Sequence, residues 1–127
     1  MEFPEGYRFQ IRVEPIALPG ESDPGSQRYV FGYTVVIENQ GQRSAQLLSR
    51  VWWITDANGD RQEVRGEGVV GQQPVIPPGE SFRYTSGALL ATPVGSMHGC
   101  YRMIGEDGQR FDAAIPVFTL AMPGALH

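Results

Sequence analysis

Three glycines in "RGEGVVGQQPVIPPGE" (residues 65–80) fall at Gly66, Gly68 and Gly71 and spell G-x-G-x-x-G. Glycines so spaced let backbone N–H groups close on the pyrophosphate of a dinucleotide, provided that a helix opens directly behind them. Here Pro74, Pro77 and Pro78 follow instead. Proline supplies no N–H and breaks helix interiors, so the dinucleotide reading fails. The P-loop reading fails too, because Gln72 stands after Gly71 where that motif requires lysine. What remains is a bare nest of amides for a phosphate or other small anion, built from Gly66, Gly68 and Gly71 with Arg65 beside them and Arg83 as a further cation. The competing reading gives the glycines to positive φ angles or close strand approach alone. The residues by themselves favour that backbone role.

Other chemistry is sparse. The chain holds two histidines, His98 and His127, and one cysteine, Cys100. His98 and Cys100 lie two apart on an expected strand and so share a face. Two such residues do not make a structural zinc site, and no metal is expected. The carboxylates Glu21, Asp23, Asp56, Asp60, Glu106 and Asp107 sit in turns, where they are normally solvated. Ser86 lacks a nucleophile elbow, and His98 would be its only internal base. No catalytic set is assembled, so no enzymatic activity is expected. Among Trp52, Trp53, Tyr84 and Tyr101, alternation buries about half, and whichever tryptophan faces outward is the better contact for a partner.

The elements that must position these residues read as strands. Turn-forming clusters recur at "PGESDPGSQ", "ENQGQ", "DANGD", "IPPGE", "ATPVG" and "GEDGQ". Between them "YRFQIRVE" alternates Tyr7, Phe9, Ile11 and Val13 against polar residues, and "RYVFGYTVVIEN" puts Tyr29, Phe31, Tyr33, Val35 and Ile37 on one face. "QLLSRVWWITD" also suits a helical stripe, but the Asn58-Gly59 turn favours a strand entering a hairpin with "RQEVR". "SFRYTSG", "HGCYRMIG" and "RFDAAIPVFTLAM" complete the set, with Pro116 marking an edge or a bulge. Seven or so strands predict an all-β immunoglobulin/fibronectin III-like β-sandwich, with a closed small barrel as the alternative.

With 127 residues, no repeat and no linker, residues 1–127 are expected to form one domain. The formal charge is −4, which predicts no nucleic-acid or membrane partner. All ten basic residues are arginine, so Schiff-base and P-loop lysine chemistry is excluded. No apolar segment approaches the roughly 20 residues that cross a bilayer. The start shows no apolar signal region and Cys100 has no partner cysteine, so a cytoplasmic location is expected.

The segments "GQQPVIPPGESFRYTSG", "LATPVGSMHGCY" and "FDAAIPVFTLAMP" closely resemble the ApaG family, also called CorD, as does the earlier "RVWWITDANGDRQEVRGEGVVG". The resemblance implies a fibronectin III-like sandwich without an established biochemical activity, linked in bacteria to cobalt resistance and magnesium efflux. Related domains appended to larger adaptor proteins imply a module that binds another protein. In the family the glycine motif is regarded as a possible pyrophosphate or nucleotide site, which here falls on Gly66, Gly68 and Gly71. His98 and Cys100 occupy open positions of the family pattern. The expected function is thus a non-enzymatic module with an unidentified protein partner. Small-anion binding at the Gly66–Gly71 loop is the alternative, and nucleotide hydrolysis a third reading.

Overall fold

The computed structural model describes residues 3–125; His127 lies outside them. Among the described residues eight strands run β1 (Phe9–Ala17), β2 (Tyr29–Asn39), β3 (Ala45–Asp56), β4 (Arg61–Glu67), β5 (Val75–Ile76), β6 (Ser81–Leu90), β7 (Val94–Gly105) and β8 (Arg110–Ala121). Two 3₁₀ turns, Pro19–Glu21 and Pro24–Ser26, fill the loop between β1 and β2. One sheet has the order β1-β2-β6. The other has the order β4-β3-β7-β8, with β5 pairing β3. All pairs are antiparallel. The fold is an immunoglobulin/fibronectin III-like β-sandwich.

The two inner faces share one core that includes Phe31, Val35, Ile37, Leu47, Trp52, Tyr101, Met103 and Leu120. Two bulges set which residues reach it. In β3 the register with β7 shifts between Leu47 and Ser49, so the inward phase passes from Leu47 to Trp52 and Ile54. That phase change is why the segment also suits a helical stripe. In β8 the register shifts opposite His98, which places Pro116 and Val117 in a bulge on a sheet edge. Inward phase there passes from Ile115 to Leu120. The "ATPVG" turn proves shorter than its composition suggests, because Val94 and Gly95 already belong to β7.

The start of the chain is clasped to the β7–β8 hairpin. The Tyr7 hydroxyl donates to Asp107 Oδ1 at 2.6 Å, and Arg43 Nη1 meets Asp107 Oδ2 at 2.5 Å. The Tyr7 hydroxyl, then Gln109 and the Arg43 charge, hold the Asp107 carboxyl well below the usual range. A carboxyl depressed in this way stabilises the fold above its unfolded pKa of about 4, and the contribution is lost as pH falls through the folded value. Asp107→Asn is therefore expected to flatten the loss of stability on acidification below about pH 4. Thermal unfolding midpoints measured through the acid range check this, and an acid limb as steep as the parent's would count against it.

Candidate functional site

Strand alternation sorts the candidate residues onto opposite sides of the β4-β3-β7-β8 sheet. Trp52 points inward, 2% exposed, and Trp53 points outward. The Trp53 ring stacks on His98 at 5.3 Å, carries the Arg61 guanidinium at 5.2 Å, and donates from Nε1 to Glu63. Next to it a groove of about 560 Å³ is lined by Val51, Arg65, Cys100, Arg102, Arg110 and Asp112, among others. Register explains the grouping, since Val51 faces Arg65 and Cys100 across β3, while Arg102 faces Asp112. Arg65 pairs with Glu63 and Arg102 with Asp112, each at 2.8 Å. Arg110 has no carboxylate partner among the described residues. Burial, and next Asp112, raise the Cys100 thiol above its ordinary value, so it is not a reactive thiolate.

The glycine motif is divided between strand and turn. Gly66 pairs with Arg50 inside β4, on the face opposite Arg65. A Cβ there would stand 2.7 Å from Arg50 Nη1. The missing side chain lets the guanidinium lie over β4 and donate to the carbonyls of Glu67 at 3.1 Å and Gly68 at 2.7 Å. Gly68 has φ +62°, and its amide donates to Leu48. Val69 and Gln72 exchange both hydrogen bonds around a two-residue turn in which Val70 and Gly71 take φ +44° and +79°. That is a type I′ turn, which asks for positive φ at both central residues. Only the adjacent Val70 and Gly71 amides in this turn make no hydrogen bond among the described residues. The Arg65 groove is not lined by Gly66, Gly68 or Gly71.

Val70 is a β-branched residue in a left-handed conformation and is 55% exposed. Val70→Asn should relieve this strain and raise stability by about 1 kcal/mol. Urea unfolding of the variant checks it; an unchanged or lower midpoint would show that the turn tolerates valine without cost.

Inside the sandwich a polar set lies below β6. The Tyr84 and Tyr101 hydroxyls share a short hydrogen bond in the core. Burial raises the phenols of Tyr33, Tyr84 and Tyr101, and the Arg50 charge offsets part of this at each. All three stay neutral at physiological pH. Ser86 faces inward from β6 opposite Tyr33, whereas His98 faces outward on the other sheet, so the two cannot form a nucleophile–base pair. Among the described residues no group of three or more His, Cys, Asp or Glu side chains is placed to hold a metal.

Two kinds of residue in or near the groove are not singled out by the sequence. Arg102 and Arg110 join Arg65 only through the β7–β8 hairpin, and the Gly105–Gln109 closure sets that register. That signal was present in "GEDGQ". Arg50 turns inward because of the β3 bulge, which no residue in "QLLSRVWW" announces.

Together these features define an all-β sandwich of the immunoglobulin/fibronectin III-like class, with an arginine-bearing outer face centred on one tryptophan. Within that class the chain belongs to the ApaG family. Residues 19–105 match the ApaG domain. The chain is 60% identical over 121 residues to Protein ApaG of Pseudomonas paraeruginosa, covering 95% of this chain and 96% of the relative. It is 59% identical over 121 residues to Protein ApaG of Thiobacillus denitrificans, covering 95% of each. The crystal structure of a Bordetella pertussis protein described as ApaA superposes with a TM-score of 0.91 at 52% identity, over 94% of this chain and 98% of that one.

Proposed function

We propose that the chain is a non-enzymatic binding module that docks a protein partner on the outer face of the β4-β3-β7-β8 sheet. The observation that carries this reading is Trp53. It is an aromatic side chain on an outer sheet face, held by His98, Arg61 and Glu63 beside the groove of Arg65, Arg102 and Arg110. Tryptophan and arginine are the residue types that dominate binding energy at protein interfaces. A cation-resistance phenotype of the kind linked to the family would then arise through the partner rather than through metal held by this chain. Crosslinking in cells followed by capture of the full chain tests the reading. Trp53→Ala should weaken the recovered complex by about 2 kcal/mol while leaving the fold intact. Recovery of no partner, or of one indifferent to Trp53→Ala, would remove it.

A second reading, pyrophosphate or a nucleotide phosphate at the glycine loop, is favoured by the two adjacent unbonded amides of Val70 and Gly71. Titration of labelled protein with pyrophosphate should then move the Val70 and Gly71 amide signals and spare Gly66 and Gly68. Signals unmoved at millimolar pyrophosphate would end it.

A further inference from the structure

We infer that the free edge of β6 takes up an extended, acidic peptide segment of a partner as an added strand, independently of the Trp53 face. Leu18 donates to Val30, and Gln40 to Arg8, so even-numbered residues of β2 bond to β1. Asn39 donates to Glu80, so odd-numbered residues of β2 bond to the other side. In the β2–β6 register those odd residues face Phe82, Tyr84, Ser86, Ala88 and Leu90. The remaining residues of β6 (Ser81, Arg83, Thr85, Gly87 and Leu89) therefore point their N–H and C=O groups away from β2. No strand among the described residues pairs with them.

Proteins normally blunt such an edge with proline, charge, bulges or a covering element. The other three edges here are blunted. β1 carries Pro15 and packs along β8, and β8 carries Pro116 at its bulge. On β4 the register, set by Gly68 donating to Leu48 and Asp56 to Asp60, turns Arg61, Glu63, Arg65 and Glu67 to the free edge, and all four are charged. β6 has none of these devices. It runs ten residues with no proline, no register shift and a single charge, and Leu89 is exposed. An edge of that kind is a template for strand addition.

Charge selects the occupant. Arg83 is the one charged residue on β6 and has no carboxylate partner among the described residues. The Arg50 guanidinium lies over β4 at Gly66, and its charge acts on Tyr84 of β6 and on Tyr33. Only its Nη1 is hydrogen-bonded among the described residues. A second copy of the chain pairing edge to edge would bring Arg83 against another β6, whose only charge is also Arg83. An extended segment bearing Asp or Glu supplies the missing anions, one set for Arg83 on the outer side and one for the free donors of Arg50 on the inner side. The specificity therefore comes from charge, and the affinity from the main-chain ladder.

Displayed random peptides of about ten residues, selected against the full chain, test this. Selection should enrich β-branched sequences carrying Asp or Glu. A synthesised winner should protect the Ser81, Arg83, Thr85, Gly87 and Leu89 amides from exchange. Thr85→Pro removes a free donor while keeping the main-chain ladder to β2, at the loss of the Thr34–Thr85 hydroxyl bond, and should weaken the peptide at least roughly tenfold. Arg83→Glu, an exposed change that leaves the backbone alone, should also weaken it, so the result stands even if the proline variant folds poorly. Trp53→Ala should leave peptide binding unchanged. An empty selection, winners without acidic residues, or winners indifferent to both β6 variants would each overturn the proposal. So would a dimer of the chain, seen in sedimentation and abolished by Thr85→Pro, which would make the occupant a second copy. A cellular partner lost with Trp53→Ala but kept with Thr85→Pro and Arg83→Glu would leave the face reading standing while this one falls.

Discussion

Replacing Asn39 with alanine should lower the unfolding free energy by about 3 kcal/mol, the largest effect expected of a polar residue in this fold. Asn39 is a fully buried amide side chain, at 0% exposure. Its amide nitrogen donates to the carbonyls of Arg43 and Ile76, and its oxygen accepts from the Gly41 amide, each at 2.8 Å. These bonds join the end of β2, the turn after it and the short β5. Alanine deletes all three and leaves two carbonyls and an N–H facing a dry space. Asn39→Asp should be worse at neutral pH, because the introduced carboxylate would face the Arg43 and Ile76 carbonyls with no proton to give. Burial beside two acceptors raises the folded pKa of that carboxyl above its unfolded value. Its protonated form is then the tolerated one, and stability is lost as pH rises through the raised value. Urea unfolding should place the Asn39→Asp variant closer to the parent at about pH 5 than at about pH 7. A pH-independent gap would mean that the site admits water.

Much of the sandwich was legible because its strands obey period two. Phe9 and Ile11 on β1, and Phe31, Tyr33, Val35 and Ile37 on β2, are buried as their alternation requires. Where the chain steps out of phase, legibility fails for a physical reason: a bulge adds one residue and moves every later side chain to the other face. That step turns Arg50 and Trp52 inward and leaves Trp53 outside, a choice alternation alone leaves open. β5 was invisible for another reason. Val75 and Ile76 are two residues among prolines, held by pairing to Ala45 and Gln46 rather than by any local preference. The outer groove was half legible. Arg65 was singled out on account of the glycines beside it, yet its neighbours in space are Arg102, Arg110 and Cys100, which come from the far hairpin.

Substituting alanine for the three motif glycines one at a time should separate their roles by size of effect. At Gly68 the new Cβ would overlap the Gln72 carbonyl oxygen, a backbone atom fixed by the Val69–Gln72 bridge, in a residue already at φ +62°. Nothing there yields cheaply, so Gly68→Ala should cost about 3 kcal/mol or more and disrupt the hairpin tip. Gly66→Ala meets only the end of a flexible side chain, the Arg50 guanidinium. Arg50 can move aside, at the loss of its bonds to Glu67 and Gly68, so about 1–2 kcal/mol is expected. Gly71 has open space around its Cβ position, and only its φ of +79° resists, so Gly71→Ala should cost about 1 kcal/mol. The order Gly68, Gly66, Gly71 in urea unfolding follows from three different constraints: a fixed carbonyl, a movable cation and a bare backbone angle. If the glycines served an anion instead, the three variants would be ranked by loss of pyrophosphate binding. Gly71, beside the only unbonded amides of the turn, would then matter most and Gly68 least. Measuring stability and pyrophosphate binding on the same three proteins therefore decides which demand the G-x-G-x-x-G spacing answers.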